Sequence, residues 1–364
     1  MKIAFYAPLK SPNHPVPSGD RLMARLLLRA LTLAGHEVVL ASELRSFHKN
    51  PDTELPDVRA AVASEVERLT KAYKAGEKPD LWFCYHPYYK APDWIGSELC
   101  QRFDMPYVTA EASYSQRRNL GVWAEFQAHL LETVKNAALN LCFTERDVRG
   151  LEAVAPQSKL TRLSPFIDAE PFLAKTPLPE PGALATVAMM RPGDKMSSYT
   201  TLAQALSKLE YLPWRLRVVG DGPCGDAVRA LFAGFSPGRI EWLGEQPPEA
   251  VAEILSTASL YVWPGHGEAY GLAYLEAQAM GLPVVAQAVA GVPEVVANRV
   301  TGLLTPVDDV DAFSSAIAQL LTHPDQRMIM GDAARVRVKS HHTLPAASSQ
   351  LSTHLMSALE KHHV

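Results

Sequence analysis

Between Pro264 and Glu276 the chain carries Gly265, Gly267 and Gly271 together with two carboxylates, Glu268 and Glu276, directly after the apolar run from Leu260 to Trp263. A strand, a glycine turn and a helix start, in that order, make a pocket for a charged ligand. The backbone N–H groups of Tyr270, Gly271 and Leu272 have no acceptor inside such a helix, so an anion placed there gains hydrogen bonds and the positive end of the helix dipole. A diphosphate fits those donors. Glu268 in the loop and Glu276 about a turn and a half into the helix can border one ligand from two sides, and carboxylates beside an anion site accept hydroxyl groups. A ligand with both features is a nucleotide sugar. The plainer alternative makes Glu268 a helix-start charge, Glu276 a solvated residue and Gly271 an ordinary turn. Against it stands the small-residue stretch from Ala277 to Met280, which is closed by Gly281 and Pro283 and runs straight into Val284 and Val285. That pattern belongs to a helix feeding a buried strand.

A second group of candidates follows an apolar run beginning near Ala185. Arg191 offers a planar fork suited to phosphate and Lys195 a mobile point charge; together they can neutralise a departing diphosphate, or they are two surface cations around the Pro192-Gly193 turn. Gly220, in Gly220-Asp-Gly-Pro223, shapes the next strand-to-helix turn. In the first half, Pro17-Ser-Gly-Asp-Arg21 precedes a helix from Arg21 to Ala34, where Gly19 permits close backbone approach to a ligand and Asp20 is a suitable N-cap.

The run Glu268-Ala-Tyr-Gly-Leu-Ala-Tyr-Leu-Glu276-Ala-Gln-Ala-Met-Gly-Leu-Pro-Val-Val-Ala, continued by Ala290-Gly-Val-Pro-Glu294 and Thr301-Gly-Leu-Leu-Thr305, resembles the C-terminal signature of family 4 (group 1) glycosyltransferases of the GT-B fold. Val187 to Lys195, Val218 to Pro223, Ile240 to Gly244 and Gly35 to Val38 agree with it in order and spacing. The resemblance implies a retaining transferase in which Arg191 and Lys195 contact the donor diphosphate, Glu276 the ribose and Glu268 the transferred sugar. Gly19 stands beside Ser18 where the family has a glycine pair, and Glu111 stands where many relatives carry a histidine near that sugar. Glu111 can instead be a helix cap or a salt-bridge partner of Arg117 or Arg118.

With 47% hydrophobic and 20% charged residues among 364, the chain has the composition of a folded protein of two domains. Residues 1–170 hold 21 cationic against 21 anionic side chains and residues 171–364 hold 14 against 18. Neither half suits nucleic acid. Cys84, Cys100, Cys142 and Cys224 have no disulfide or metal spacing, and no apolar run reaches membrane-spanning length, so a cytoplasmic location is expected. Arg21, Arg25 and Arg29 leave open a peripheral contact at the inner face of a membrane. Asp308, Asp309 and Asp311 start a helix at Val310 more simply than they bind a metal.

Strands are expected at 2–7, 37–41, 81–85, 106–111, 139–143 and 159–163, then at 185–190, 215–220, 240–243, 260–263 and 283–287, alternating with helices. This pattern predicts an α/β protein with two Rossmann-like, doubly wound parallel-sheet domains facing a cleft. The acceptor-side domain spans 1–168, a proline-rich linker 169–182, the donor domain 183–343, and a tail helix 344–364 that either packs locally or crosses back to the first domain. The expected activity is transfer of a sugar from a UDP-, GDP- or ADP-sugar to a hydroxyl of a carbohydrate or lipid-linked acceptor, with no metal and no cofactor. A nucleotide-sugar epimerase or phosphorylase, or a catalytically silent relative, is the alternative. A dinucleotide oxidoreductase is disfavoured, because the loop after the first strand has only Gly19 in place of Gly-x-Gly-x-x-Gly.

Overall fold

The computed structural model describes residues 1–52 and 56–360, so the last residues of the expected tail helix lie outside the described residues. The chain divides into two compact units, one formed by residues 1–164 with the segment from Leu344 onward, the other by residues 165–343.

In the first unit the order is β1 (Lys2–Tyr6), α1 (Gly19–Leu33), β2 (Glu37–Ser42), α2 (Pro56–Ala72), β3 (Leu81–Tyr85), α3 (Trp94–Phe103), β4 (Tyr107–Ala110), α4 (Val122–Asn136), β5 (Leu139–Cys142), α5 (Glu145–Glu152) and β6 (Leu160–Arg162). The strands form one sheet in the order β2-β1-β3-β4-β5-β6, with every pairing parallel. Every residue of β3, β4 and β5 is buried, as a sheet covered by helices on both faces requires.

The second unit runs through α6 (Glu170–Leu173), β7 (Ala183–Val187), α7 (Asp194–Ser207), β8 (Arg215–Val219), α8 (Gly225–Leu231), β9 (Ile240–Gly244), α9 (Pro248–Ser256), β10 (Leu260–Val262), α10 (Leu272–Ala279), β11 (Val284–Gln287), α11 (Val292–Val295), β12 (Gly302–Thr305), α12 (Val310–Thr322) and α13 (Pro324–His341). Its sheet, also all parallel, has the order β12-β11-β10-β7-β8-β9. Finally α14 (Leu344–Glu360) packs against α1 of the first unit, burying Leu351 and Leu355.

In both sheets the strand order reverses at one point, between β1 and β3 in the first and between β7 and β10 in the second. Crossovers leave such a point in opposite directions, so a crevice opens outside the carboxyl ends of the two strands. Those two crevices position everything that follows.

One expectation, the cap of α1, needs correction. Residues 169–182, the expected linker, are bonded to neighbouring elements: the Leu178 and Glu180 N–H groups donate to Ser256 and Thr257 carbonyls, Glu180 pairs with Arg217, and Arg335 donates to the carbonyls of Leu173 and Lys175. The proline content removes donors from the segment, and neighbouring elements supply the remaining bonds. Asp20 is not the cap of α1; Ser18 accepts the Arg21 N–H, and the helix starts at Gly19. Arg21 and Arg25 are spent on carbonyls of His14, Pro15 and Pro12, which fastens the β1–α1 loop.

Candidate functional site

In the second unit the loop after β7 and the loop after β10 flank the crevice, and the structure joins them through one pair of side chains. Lys195, in the first turn of α7, donates to Glu268 Oε1. The same oxygen accepts the indole N–H of Trp263 at 3.1 Å, and the Lys195 ammonium lies 5.5 Å from that ring's centre. Both charged side chains are mostly buried, at 26% and 17% exposure, so the pair is held out of bulk solvent where its geometry persists. His266 fixes the loop from the other side, its N–H on Ser198 Oγ at 3.0 Å and its ring 3.0 Å from Thr201 Oγ1, both on α7.

Gly271 sets the entry to α10. Its φ of +78° is a left-handed value, and a Cβ there would lie 2.6 Å from the Tyr274 ring. No side chain caps the helix, and among the described residues the N–H groups of Gly271, Leu272 and Ala273 have no acceptor. Tyr270, whose N–H was expected with them, is buried. Glu276 projects from the following turn, half-buried, and among the described residues its carboxylate meets neither a hydrogen-bond donor nor a cation. Burial without compensation pushes its carboxyl up to about 7. The charges of Glu276 and Glu268 both act on the buried Tyr261 phenol of β10, whose oxygen is 3.2 Å from the Val187 carbonyl at the end of β7.

Arg191 lies partly exposed in the β7–α7 loop ahead of Lys195. Gly220 ends β8 with a φ of +136° and its α-carbon packed against the Ala188 carbonyl, so it brings the β8–α8 turn onto the β7–α7 loop and leaves no room for a side chain. The acidic group at 308–311 ends as a helix start, with Asp309 Oδ1 accepting the Ala312 N–H at 2.8 Å. Among the described residues no cluster of His, Cys, Asp or Glu could hold a metal ion.

Gly19 and Glu111 belong to the first unit. There the crevice between β1 and β3 is spanned by Asp20 Oδ1 and His86 Nδ1, 3.0 Å apart. Burial by itself would lower the His86 pKa, but Glu111, Asp20 and Asp147 more than offset it and hold the imidazolium up to about 9. Asp20 is lowered: burial opposes this, and the His86 hydrogen bond and charge outweigh it. Glu111 is pushed up to about 7, chiefly by burial, against the opposing effect of His86 and a hydrogen bond from Tyr85. Glu111 therefore neither caps a helix nor pairs with Arg117 or Arg118; it faces a histidine. His86 and Glu111 both adopt left-handed backbone, at φ +57° and +59°. Sequence reasoning missed His86. The signal available was a histidine directly after the uniformly apolar strand Leu81–Tyr85.

Residues 183–323 match the family model described as Glycosyl transferases group 1. A D-inositol 3-phosphate glycosyltransferase of Corynebacterium aurimucosum is 28% identical over 325 residues, covering 82% of this chain and 76% of that protein. Among solved structures, a sucrose-phosphate synthase from Thermosynechococcus elongatus superposes with a TM-score of 0.74 at 22% identity, over 99% of both chains. Anabaena Alr3699/HepE in complex with UDP-glucose gives 0.66 at 15% identity, over 98% of this chain and 100% of that one. At such identities the two structures speak for the fold. The class is that of glycosyltransferases with GT-B architecture. Within it, residues 183–323 are the part similar to the group 1 glycosyl transferases.

Proposed function

We propose that this protein transfers a glycosyl group from a nucleoside diphosphate sugar to an acceptor hydroxyl, with retention of anomeric configuration, the second unit holding the donor and the first the acceptor. The carrying observation is the Lys195–Glu268 pair at the strand-order reversal of the second sheet, beside uncapped amides and a carboxylate with no partner among the described residues. Each feature has a use in that reaction. Glu276, desolvated and unpartnered, accepts the two ribose hydroxyls, which supply the hydrogen bonds that the protein withholds. The Gly271 and Leu272 amides receive the diphosphate. Lys195 turns from Glu268 to a phosphate oxygen when the donor enters, and with Arg191 it stabilises the charge on the departing diphosphate. Glu268, released, accepts hydroxyls of the transferred sugar and faces the positive charge that develops at its anomeric carbon. The departing phosphate takes the acceptor's proton on the same face, which gives retention without a covalent enzyme intermediate. Neither a metal ion nor a prosthetic group enters the proposed step.

Support from relatives is of two kinds: the Corynebacterium protein is named for glycosyl transfer to an inositol phosphate, and the Anabaena protein is bound to UDP-glucose. For this chain the base and the sugar are assigned by calorimetry with a panel of UDP-, GDP- and ADP-sugars. Proton NMR of the product then reports the anomeric configuration. Binding of none of the panel removes the proposal, and an inverted product removes its mechanism. We also place the protein in the cytoplasm, since Cys84, Cys100 and Cys142 are buried free thiols that suit a reducing compartment. Among the described residues no helix is long and apolar enough to cross a membrane.

A further inference from the structure

The carboxyl edge of the first sheet holds a second feature that the donor chemistry does not use. The loops after β3 and β4 are joined there, with Tyr88 bridged to Ser113 and the Ser113 N–H donating to the Pro87 carbonyl at 3.3 Å. From His86 a run of rings leads outward: His86 to Tyr88 at 5.0 Å, Tyr88 to Tyr89 at 5.0 Å and Tyr89 to Trp123 at 5.1 Å between centres. Cations gather over the end of this run. The Lys90 ammonium lies 5.0 Å from the Trp123 ring centre and 5.5 Å from that of Tyr89, and the Arg118 guanidinium lies 5.8 Å from Tyr89.

Among the described residues Lys90, Arg118 and the neighbouring Lys49 form no ion pair, although surface cations elsewhere in the unit, such as Arg59 with Glu125 and Arg102 with Glu98, do. The carboxylates at this edge, Asp20 and Glu111, are turned on His86 instead. Lys90 is partly desolvated and stands in the field of Arg118 and Lys49, and both effects lower its pKa, burial more than the charges. A lysine kept among aromatic rings and like charges, with no counter-ion among the described residues, is a site for an anion from outside. Its place beside the β1–β3 crevice is where a doubly wound sheet takes its ligand.

We propose that Lys90, Arg118 and Lys49, set around Tyr89 and Trp123, bind a phosphate group of the acceptor, so that the acceptor substrate is a phosphorylated molecule. This rests on the reading that the first unit takes the acceptor. A planar guanidinium and an ammonium on one side of a phosphate divide the work as fork and point charge, and the rings give the rest of the acceptor an apolar wall, as aromatic residues do in sugar and polyol sites.

The test reads Lys90 directly and needs no transfer activity. The full chain is treated briefly with an amine-reactive acylating reagent, and modification of Lys90 is quantified by peptide mass spectrometry. Competitors are inorganic phosphate, glucose 6-phosphate, and vesicles of phosphatidylcholine with or without phosphatidylglycerol, each against sodium chloride of matched ionic strength. Protection by the soluble phosphates supports a free phosphorylated acceptor. Protection by the anionic vesicles alone supports a phosphate carried on a lipid. In either case Arg118→Gln with Lys49→Gln, both at exposed positions that leave the fold intact, raises the half-protecting concentration about tenfold, the effect of roughly one lost charge-assisted bond. Protection by none of them, equal protection by sodium chloride, or protection that survives the double substitution overturns the proposal. Donor calorimetry on the same sample separates this outcome from a failure of the transferase reading, since it depends on the second unit.

Discussion

Replacing Glu276 by Gln should stabilise the ligand-free protein while weakening donor binding, and the stabilisation should depend on pH in a definite way. In the folded chain the Glu276 carboxyl titrates at about 7 against an ordinary value of 4.5, because burial penalises the charge. A raised carboxyl costs nothing while it is protonated in both states. As pH rises through 4.5 the unfolded chain ionises first, and the folded state loses stability until about 7, above which the loss is constant. The full cost is about 2.5 pKa units, or about 3 kcal/mol, an upper bound because part of the group stays exposed. Glutamine keeps the shape and carries no charge. For a unit of this size about 3 kcal/mol corresponds to a rise of roughly 6–12 °C in the unfolding midpoint. Scanning calorimetry of wild type and Glu276→Gln at about pH 5 and about pH 8 should therefore show near-equal midpoints at the lower pH and a higher one for the variant at the upper. A midpoint difference that does not change with pH, or a destabilised variant at the higher pH, refutes the assignment of an uncompensated charge to this position. Added donor should reverse the order at about pH 8, because its hydroxyls reward the carboxylate that the empty site penalises.

Lys195→Met should cost about 2 kcal/mol in urea unfolding by stranding Glu268, and Lys195→Met with Glu268→Leu should recover much of that while transfer stays lost in both. Gly271→Ala forces a side chain into a left-handed position against the Tyr274 ring, so donor affinity by calorimetry should fall about tenfold or more while α14 of the first unit keeps its amide protection from exchange. His86 contributes stability that is fully present below its unfolded pKa of 6.5 and is lost as pH rises through about 9; His86→Gln should flatten unfolding free energy between those limits. An unchanged slope in the variant would show that the imidazolium is not held by Asp20 and Glu111.

Much of the architecture was open to reading from residues alone, and the reason is physical. The strand interiors are uninterrupted runs such as Leu-Trp-Phe-Cys-Tyr, which only a sheet covered on both faces can bury, so their positions emerged to within three residues. β12 did not, because Gly302-Leu-Leu-Thr305 is short and begins with a glycine whose α-carbon packs on the Val284 carbonyl, a contact that pairing alone creates. In the second unit the glycine-led helix and its two carboxylates were legible because they lie close in sequence. Their coupling to Lys195 was not, since it depends on β7 and β10 lying side by side. Glu111 was singled out for its place after β4, yet its partner comes from β3 and its third neighbour from α1, and local spacing carries no trace of that convergence. Ser18 and Asp20 compete for one cap by the same chemistry, and the pull of His86 on Asp20 decided between them.

The return of α14 to α1 also orders the protein's assembly during synthesis. Residues 165–343 form a continuous stretch whose two ends are already tied together, Ile167 bridging Thr343 and donating its N–H to His342, so that unit can close as soon as it leaves the ribosome. The first unit is begun earlier and completed later, because the helix that covers α1 is translated after residues 165–343. A nascent chain halted near His341 should therefore carry a protease-resistant second unit and a first unit whose α1 is still uncovered, and a chaperone that recognises exposed apolar helices would meet this protein by its first half.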